Sequence, residues 1–223
     1  MRVFEALRRL FLAGFRPGAI LDAGAHVGDF AIPTANIYPD AQVLLIDPLI
    51  DVHAGLDELS TQRDWLFAPV AIGAAEREFA AFNIAGMWSS LLPSYDGEQY
   101  GTPDVVLVRT LDALVQKYEL KPPYLLKLDV QGAELDALKG AAGMLPLTPV
   151  IVAEVNFVRS QQGTPLFHEL VMWLGARGYR LYDLMDEGRR SDETLRQFNA
   201  VFVQDAAGFI DEHWQTGERV AWS

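Results

Sequence analysis

The chain of 223 residues contains no cysteine. This absence excludes a disulfide framework, a zinc site built on thiolates, a cysteine nucleophile and a cysteine-ligated iron-sulfur cluster. Radical chemistry that depends on such a cluster is excluded as well. A chain without cysteine also fits a reducing compartment, so we expect a cytoplasmic protein.

Positive charge is scarce in this sequence. Lys and Arg number 18 against 30 Asp and Glu, which gives a formal net charge of -12 at pH 7. A field of this sign repels phosphate backbones and anionic lipid headgroups. We therefore expect neither nucleic acid nor a membrane surface as a partner.

No stretch of the sequence approaches the roughly 20 consecutive apolar residues that a transmembrane helix requires. Arg8 and Arg9 interrupt the apolar start of the chain, and no small-residue cleavage site follows it. The apolar residues within 1–17 recur at helical spacing and predict an amphipathic helix that Gly14 and Pro17 end. We expect this helix to pack on the main domain, residues 18–223. A contact between copies in a homo-oligomer and a lid stay open as alternatives.

Short apolar runs alternate with helical patterns after residue 17, as in a parallel sheet covered by helices on both faces. The predicted strands are 19–23, 42–46, 65–70, 124–128, 150–155, 179–184 and 200–204. The predicted helices are 28–37, 52–61, 111–118, 133–144 and 166–177. The fold class is therefore α/β and Rossmann-like, with a seven-stranded, mostly parallel sheet whose last strand is antiparallel. Residues from about 78 to 108 break the alternation and predict an insertion with extra strands over the sheet edge.

The segment ILDAGAHVGDF at 20–30 runs from a buried strand through Gly24 into a tight turn and then Gly28. Such a turn brings backbone amides and a helix start against a ligand. The dinucleotide fingerprint fails, because His26 and Asp29 stand where it requires glycine. Asp22 would repel a pyrophosphate and attract a ligand that carries an ammonium and a sulfonium, as S-adenosylmethionine does. A glycine turn without any ligand remains the alternative.

Two further segments place acids at the ends of predicted strands. Asp47 ends the second strand, where a carboxylate can accept hydrogen bonds from both ribose hydroxyls, although it could equally cap a helix before Pro48. Asp129 closes the strand in LLKLDVQGAELDALKG, and it should face the methyl group to be transferred. Lys127 could pair with Asp129 or with Glu154. For Glu134 in the same segment we favour a capping role.

These segments together resemble the FkbM family of S-adenosylmethionine-dependent methyltransferases over about residues 18–157. The matching segments are ILDAGAHVG at 20–28, VLLIDP at 43–48, PVAIG at 69–73, VRTLDAL at 108–114, LKLDVQGAELDALKGA at 126–141 and VIVAEVN at 150–156. Two positions depart from the family: Gln131 and Asp47 both stand where the family often has glutamate. The resemblance implies methylation of a hydroxyl on a sugar, a polyketide or a similar secondary metabolite.

These inferences give a candidate site at the carboxyl edge of the sheet. The expected cofactor-binding residues are Asp22, Gly24, Ala25, His26, Gly28, Asp47, Ala71 and Asp129. For catalysis we expect Asp129 or His168 to take the hydroxyl proton. The alternative is a Mg²⁺ ion held by Asp129, Glu154 and Asn156. We expect residues 84–104, with Met87, Trp88, Tyr95 and Tyr100, and residues 157–166 to roof the acceptor.

Two other functions stay open at this point. A nucleotide-dependent oxidoreductase could use a similar sheet, although the missing third glycine counts against it. A non-catalytic protein that binds S-adenosylmethionine and serves a partner would carry the same cofactor motifs. Among methyltransferases, the lack of an Asn/Asp-Pro-Pro-aromatic sequence after the fourth strand favours oxygen over nitrogen as the acceptor.

Overall fold

The computed structural model describes residues 2–85, 89–93, 101–159 and 161–209. The strands are β1 Ala19–Ala23, β2 Gln42–Ile46, β3 Leu66–Ala68, β4 Ala71–Ile72, β5 Arg77–Ile84, β6 Thr102–Arg109, β7 Tyr124–Leu128, β8 Val150–Asn156, β9 Tyr179–Arg189 and β10 Leu195–Gln204. The helices are α1 Val3–Leu12, α2 Ala31–Ile37, α3 Ile50–Arg63, α4 Leu111–Lys117, α5 Glu134–Lys139 and α6 Phe167–Gly175, with a 3₁₀ turn at Leu145–Leu147.

Seven strands form the main sheet in the order β3-β2-β1-β7-β8-β10-β9. Strands β3, β2, β1, β7 and β8 pair in parallel, and β10 runs antiparallel to both of its neighbours. Every residue of β1, β7 and β8 is buried, as expected for strands covered on both faces. The predicted fold class is confirmed, including the antiparallel last strand.

Helices cover both faces of this sheet. Aliphatic residues on one face, such as Ile20 and Val152, pack with residues of α1, α2 and α3. The opposite face, with Leu21 and Ile151, packs with α4, α5 and α6. No helix in the described part of the chain is long and apolar enough to cross a membrane.

Helix α1 lies against α2 and the β9–β10 hairpin. Its apolar side is buried, and Arg9 pairs with Asp183 on β9. The backbone amides of Arg2 and Val3 donate to the Asp186 carboxylate at 2.8 and 3.2 Å. These contacts fix the first turn of α1 beside the carboxyl end of the sheet.

A second sheet of three strands, in the order β4-β6-β5, is built from the predicted insertion and the residues just before it. Strand β4 pairs in parallel with β6, and β5 pairs antiparallel with β6. One side of this sheet is apolar: Ala80, Phe82 and Val106 pack together with Leu49 and Ala71. The insertion therefore borders the edge where β2 and β3 end.

Four predicted elements, β9, β10, α5 and α2, differ from the structure by three residues or more at one end. Strands β9 and β10 extend through much of the polar segment 184–200, because they pair with each other along it. Helix α5 ends at Lys139, since the Asp112 carboxylate accepts the amides of Gly143 and Met144, both at 2.8 Å, and bends the chain there. Helix α2 begins only at Ala31, because the chain before it forms turns with Gly28 at a φ of 84°.

Candidate active site

A cavity of about 390 Å³ opens at the carboxyl edge of β1, β2, β7 and β8. Among the residues proposed from sequence, those that line it are Asp22, Gly24, Ala25, His26, Asp47, Ala71, Asp129 and Glu154. The structure thus brings together groups from loops that are more than 100 residues apart in the chain. The sheet topology does this, because the carboxyl ends of parallel strands meet at one edge.

The loops after β1 and β7 touch each other at Gly24. This glycine has a φ of 83°, and a Cβ there would lie 1.9 Å from the carbonyl oxygen of Asp129. The Asp129 amide in turn donates to the Ala23 carbonyl at 2.9 Å. Only glycine allows this close approach, which places Asp22 and Asp129 in the same cavity.

Asp22 is the most deeply buried acid of the cavity, with 1% of its surface exposed. Its Oδ2 atom accepts no hydrogen bond within the described residues. Burial raises the pKa of Asp22 from 3.8 to about 7, and the positive charge of Lys127 opposes this rise. A buried acid oxygen without a donor is costly, so this position suits a ligand that brings a positively charged N–H group.

Asp47 fastens the loop after β1 to the end of β2. Its Oδ2 accepts the His26 amide and its Oδ1 accepts the Leu49 amide, both at 2.8 Å. Burial raises the pKa of this carboxyl, while the two amides lower it. Each oxygen keeps a second lone pair for a ligand hydroxyl, whereas the N-cap of α3 is Leu49 and no side chain caps this helix.

His53 makes contacts that no pattern in the sequence indicates. Its Nε2 lies 3.1 Å from the Asp47 carbonyl oxygen, and its ring meets Phe67 edge-on with 5.4 Å between ring centroids. It supports the segment that follows β2 from outside the cavity lining. A single histidine near the start of a predicted helix does not indicate contacts with Asp47 and Phe67.

The wall near β2 and β4 is apolar, in contrast to the acids of the loop after β1. Leu49, Val70, Ala71 and Ile72 line this part of the cavity, and all four are buried. A flat apolar ring fits against such a wall, while its polar edge can bond to backbone groups.

Polar side chains crowd the opposite end of the cavity. Lys127 Nζ lies 3.1 Å from Asp129 Oδ2, which is the ion pair considered from sequence. Gln131 adopts a positive φ of 50°, and its Nε2 lies 2.9 Å from Asp129 Oδ1 and 3.4 Å from Glu154 Oε2. Gln197 donates from its Nε2 to the other oxygen of Glu154. The Gln131 amide therefore bridges Asp129 and Glu154, and the Gln197 amide donates a second hydrogen bond to Glu154.

The environment of Glu154 favours the neutral form of its carboxyl group. Burial first, and the nearby negative charge of Asp129 second, raise the pKa of Glu154 from 4.5 to about 8. Lys127 lowers this pKa, although its ammonium is paired with Asp129. Asp129 and Glu154 thus offer an ion-paired carboxylate and an acid of raised pKa side by side, which suits proton transfer to or from a bound hydroxyl.

The predicted magnesium ligands do not form a metal site in this structure. The side-chain oxygens of Asp129 and Glu154 already meet the ammonium of Lys127 and the amides of Gln131 and Gln197. Asn156 does not line the cavity, and the described residues contain no group of three or more His, Cys, Asp or Glu that could hold a metal ion. Since N–H donors and a cation occupy the positions that a cation would need, these residues do not fit Mg²⁺.

Glu134 supports the loop after β7 and does not cap α5, whose N-cap residue Ala133 has no side-chain cap hydrogen bond. Its Oε1 accepts the amides of Val130 and Gly132 at 3.2 and 3.1 Å. It is fully buried, and this burial raises the pKa of Glu134 from 4.5 to about 7.

Besides Asn156, two of the residues proposed from sequence, Gly28 and His168, lie outside the cavity lining. A Cβ on Gly28 would meet the Leu59 side chain at 2.6 Å, so its missing side chain makes room for α3 and not for a ligand. His168 is an exposed residue of α6. The predicted roof residues Met87, Trp88, Tyr95 and Tyr100 lie outside the described residues, and none of the described residues in 157–166 lines the cavity.

Comparison with solved structures identifies methyltransferases of the same fold. An FkbM methyltransferase from Methylobacillus flagellatus KT matches with a TM-score of 0.54 and 15% identity, over 83% of this chain and 43% of that one. The O-methyltransferase TomG from Streptomyces achromogenes, solved with S-adenosylmethionine, has a TM-score of 0.50 and 15% identity over 91% and 78% of the two chains. An rRNA methylase from Streptococcus thermophilus has a TM-score of 0.50 and 8% identity over 92% and 96%. This chain therefore spans less than half the length of the FkbM structure.

A family model, the methyltransferase FkbM domain, matches residues 22–181. No curated protein matches the chain. The matched region begins at Asp22 and includes Asp47, Asp129 and Glu154, so it contains most of the cavity. At the level of this domain, the predicted enzyme class, an S-adenosylmethionine-dependent methyltransferase, is confirmed. The chain belongs to the FkbM methyltransferase family.

Proposed function

We propose that the protein transfers the methyl group of S-adenosylmethionine to a hydroxyl oxygen of a small molecule. The observation that carries this proposal is the division of one cavity into two chemically different ends. One end has a buried, unpartnered acid oxygen on Asp22 beside an apolar wall. The other end has Asp129, which is paired with Lys127, and Glu154, whose pKa burial raises to about 8.

The first end suits the cofactor. The Asp22 carboxylate would bind its ammonium, the free lone pairs of Asp47 would accept its ribose hydroxyls, and Ala71 would lie against its adenine. The bound cofactor supplies a methyl group on a positively charged sulfur. Asp22 on β1 and Asp129 after β7 line the same cavity, so their negative charges also favour that sulfonium.

The second end suits a hydroxyl acceptor. Asp129 can accept a hydrogen bond from the hydroxyl while it remains paired with Lys127, and this fixes the oxygen near the loop after β1. Holding the two reacting atoms in line can contribute about 7–11 kcal/mol to the reduction of the barrier. The proton then passes to Asp129 or, with Glu154 in its ionised form, to Glu154. His168 has no part in this step, because it is exposed and lies outside the lining.

Oxygen as the acceptor atom is a proposal that the family assignment leaves open. The O-methyltransferase TomG shares the fold, which is compatible with this choice and does not decide it. The lack of an Asn/Asp-Pro-Pro-aromatic segment after the fourth strand is the feature that favours oxygen.

Two measurements test the proposal. Calorimetry should detect binding of S-adenosylmethionine and none of NAD. Incubation with hydroxylated metabolites and deuterated-methyl cofactor should then give an O-methylated product, identified by mass spectrometry and NMR. Asp129→Asn should lower turnover by about 10²-fold or more, the typical contribution of a group that moves a proton. Cofactor binding without any methylated product would favour the non-catalytic partner protein, and a product methylated on nitrogen would refute the choice of oxygen.

A further inference from the structure

The acceptor end of the cavity extends onto β10, beyond the residues discussed so far. Asn199 pairs with Glu154 across the β8–β10 ladder, so the two side chains lie on the same face of the sheet. Gln197 pairs with Asn156 and lies on that face as well. Both Gln197 and Asn199 line the cavity. They also lie outside residues 22–181, so the family assignment says nothing about them.

Two buried oxygens on β10 have no hydrogen-bond donor. Gln197 Oε1 and Asn199 Oδ1 accept no hydrogen bond from any described residue. The orientation of Gln197 is set by its Nε2 group, which donates to Glu154. Native proteins rarely leave buried acceptors unmatched, because the loss of hydration is then uncompensated. A ligand that donates hydrogen bonds would satisfy both.

The chemistry of this region favours a neutral donor over a cation. Burial raises the pKa of Glu154 to about 8, which favours its neutral form, and Lys127 pairs with Asp129. The region therefore has little net negative charge with which to bind an ammonium group. Hydroxyl groups are neutral donors, and they can also accept a hydrogen bond from Glu154 when it is protonated.

Distance separates these two oxygens from the reacting centre. Neighbouring strands lie about 4.8 Å apart, and β10 is two strands away from β7, so Asn199 projects from backbone about 10 Å from the strand that leads to Asp129. A single hydroxyl held at Asp129 cannot fill both positions. The acceptor must then carry at least one further donor.

We propose that Gln197 and Asn199 form a second recognition site for hydroxyl groups of the acceptor, and that the acceptor is accordingly a neutral, polyhydroxylated molecule. This inference rests on the proposed function, because it places the acceptor in the same cavity. It adds that substrate choice depends on two residues of β10 that the family match does not include.

A pair of six-membered carbocycles tests the inference without knowledge of the natural acceptor. myo-Inositol carries a hydroxyl on every ring carbon, and cyclohexanol carries one. Each is titrated into the full ¹⁵N-labelled chain saturated with S-adenosylhomocysteine, and the side-chain amide signals of Gln197 and Asn199 are followed by NMR. We expect inositol to shift both signals, and cyclohexanol to bind at least about tenfold more weakly, since a hydrogen bond is lost.

Matched variants separate recognition from folding. Asn199→Leu should weaken inositol binding about tenfold, and Asn199→Asp, which keeps an acceptor at the same place, should retain it. Asn36→Leu makes the same change at an exposed residue of α2 and should have no effect. Binding of S-adenosylhomocysteine, measured for each variant, reports that the fold and the cofactor end are intact.

Three results would overturn the inference. They are equal binding of the two alcohols, amide signals that inositol leaves unmoved throughout the titration, and equal weakening by Asn199→Leu and Asn199→Asp. If S-adenosylhomocysteine binds and any of these results is found, the second recognition site is refuted and the proposed function stands. If neither S-adenosylmethionine nor S-adenosylhomocysteine binds the unmodified chain, the proposed function itself is refuted.

Discussion

Cofactor affinity should depend on pH through a single buried acid. In the protein without cofactor, Asp22 is buried, has no donor on Oδ2 within the described residues and has a pKa raised to about 7. The proposed ion pair with the cofactor ammonium requires the ionised form of Asp22. Below neutral pH, binding must therefore expel a proton, and the affinity should fall as the pH decreases.

The size of the effect follows from the pKa of Asp22. With a value of about 7 in the free protein, and the ionised form required in the complex, the association constant should fall about fivefold from pH 7 to pH 6. From pH 7 to pH 5 the fall should reach about 50-fold. Above about pH 8 the affinity should decrease again, because the α-amino group of the cofactor loses its own proton.

Isothermal calorimetry measures this dependence with cofactor alone and needs no acceptor. S-adenosylmethionine and S-adenosylhomocysteine are both titrated between about pH 5 and 8, in buffers of different ionisation enthalpy that report proton release. S-adenosylhomocysteine has the same ammonium and no sulfonium. If the affinities of the two ligands change equally with pH, the ammonium is the partner of Asp22. If only the affinity of S-adenosylmethionine changes with pH, the sulfonium is the partner.

Two carboxylate-to-amide variants complete the test. Asp22→Asn should weaken cofactor binding by about 1.5–3 kcal/mol at pH 7. It should also make the cofactor affinity independent of pH below pH 7. Asp29→Asn removes the same charge from an exposed residue at the edge of the cavity and should keep the pH dependence. An affinity that does not change between pH 5 and 7 in the unmodified protein, or a pH dependence that survives Asp22→Asn, would show that Asp22 does not bind the cofactor as proposed.

Three further predictions concern stability and catalysis. Gly24→Ala should lower the free energy of unfolding by at least about 2–3 kcal/mol in denaturant titration, because its Cβ would collide with the Asp129 carbonyl oxygen; an unchanged midpoint would contradict the close approach of the two loops. In the unmodified protein, the free energy of unfolding should fall by about 2–3 kcal/mol between pH 5 and 8, and Glu134→Gln should abolish this fall. The raised pKa of Glu134 means that the folded state holds a proton there that the unfolded state has lost, so stability falls as the pH rises through this range; an unaltered pH profile in the variant would exclude this cause. His168→Ala should leave kcat within about twofold, once an acceptor is found, since the side chain is exposed outside the cavity lining, and a loss of 10²-fold would return it to the mechanism.

Much of the main sheet was predictable because its strands carry strong local signals. Strands β1, β2 and β7 have the bounds that the sequence predicts, 19–23, 42–46 and 124–128. Each is an almost continuously apolar run of about the usual strand length, and turn-forming or charged residues flank it. Helix ends were less predictable, as α5 shows, because contacts with distant residues such as Asp112 determine where the helix stops.

The cofactor end of the site was predictable for a related reason. Asp22 lies near the end of such a strand, and Gly24 and Asp47 directly follow one, so locating the strands also located these residues. The acceptor end was predictable only in part: Asp129 and Glu154 were expected there, whereas its residues on β10 depend on tertiary contacts. Gln197 and Asn199 occupy a strand that pairs antiparallel with β8 from about 40 positions further along the chain, and no local motif indicates this pairing.

Gln131 explains how two acids can share one wall of the cavity without a metal ion. A glutamate here, as the family often has, would place a third acid within reach of Asp129 and Glu154, where the positive charges that act are those of Lys127 and Arg196. The amide of Gln131 instead donates toward both acids, while Lys127 neutralises Asp129. Burial and the nearby charge of Asp129 raise the pKa of Glu154, while Gln131 and Gln197 hold its two oxygens in place. Gln131 therefore links the two acids of the proposed proton transfer without adding a third negative charge.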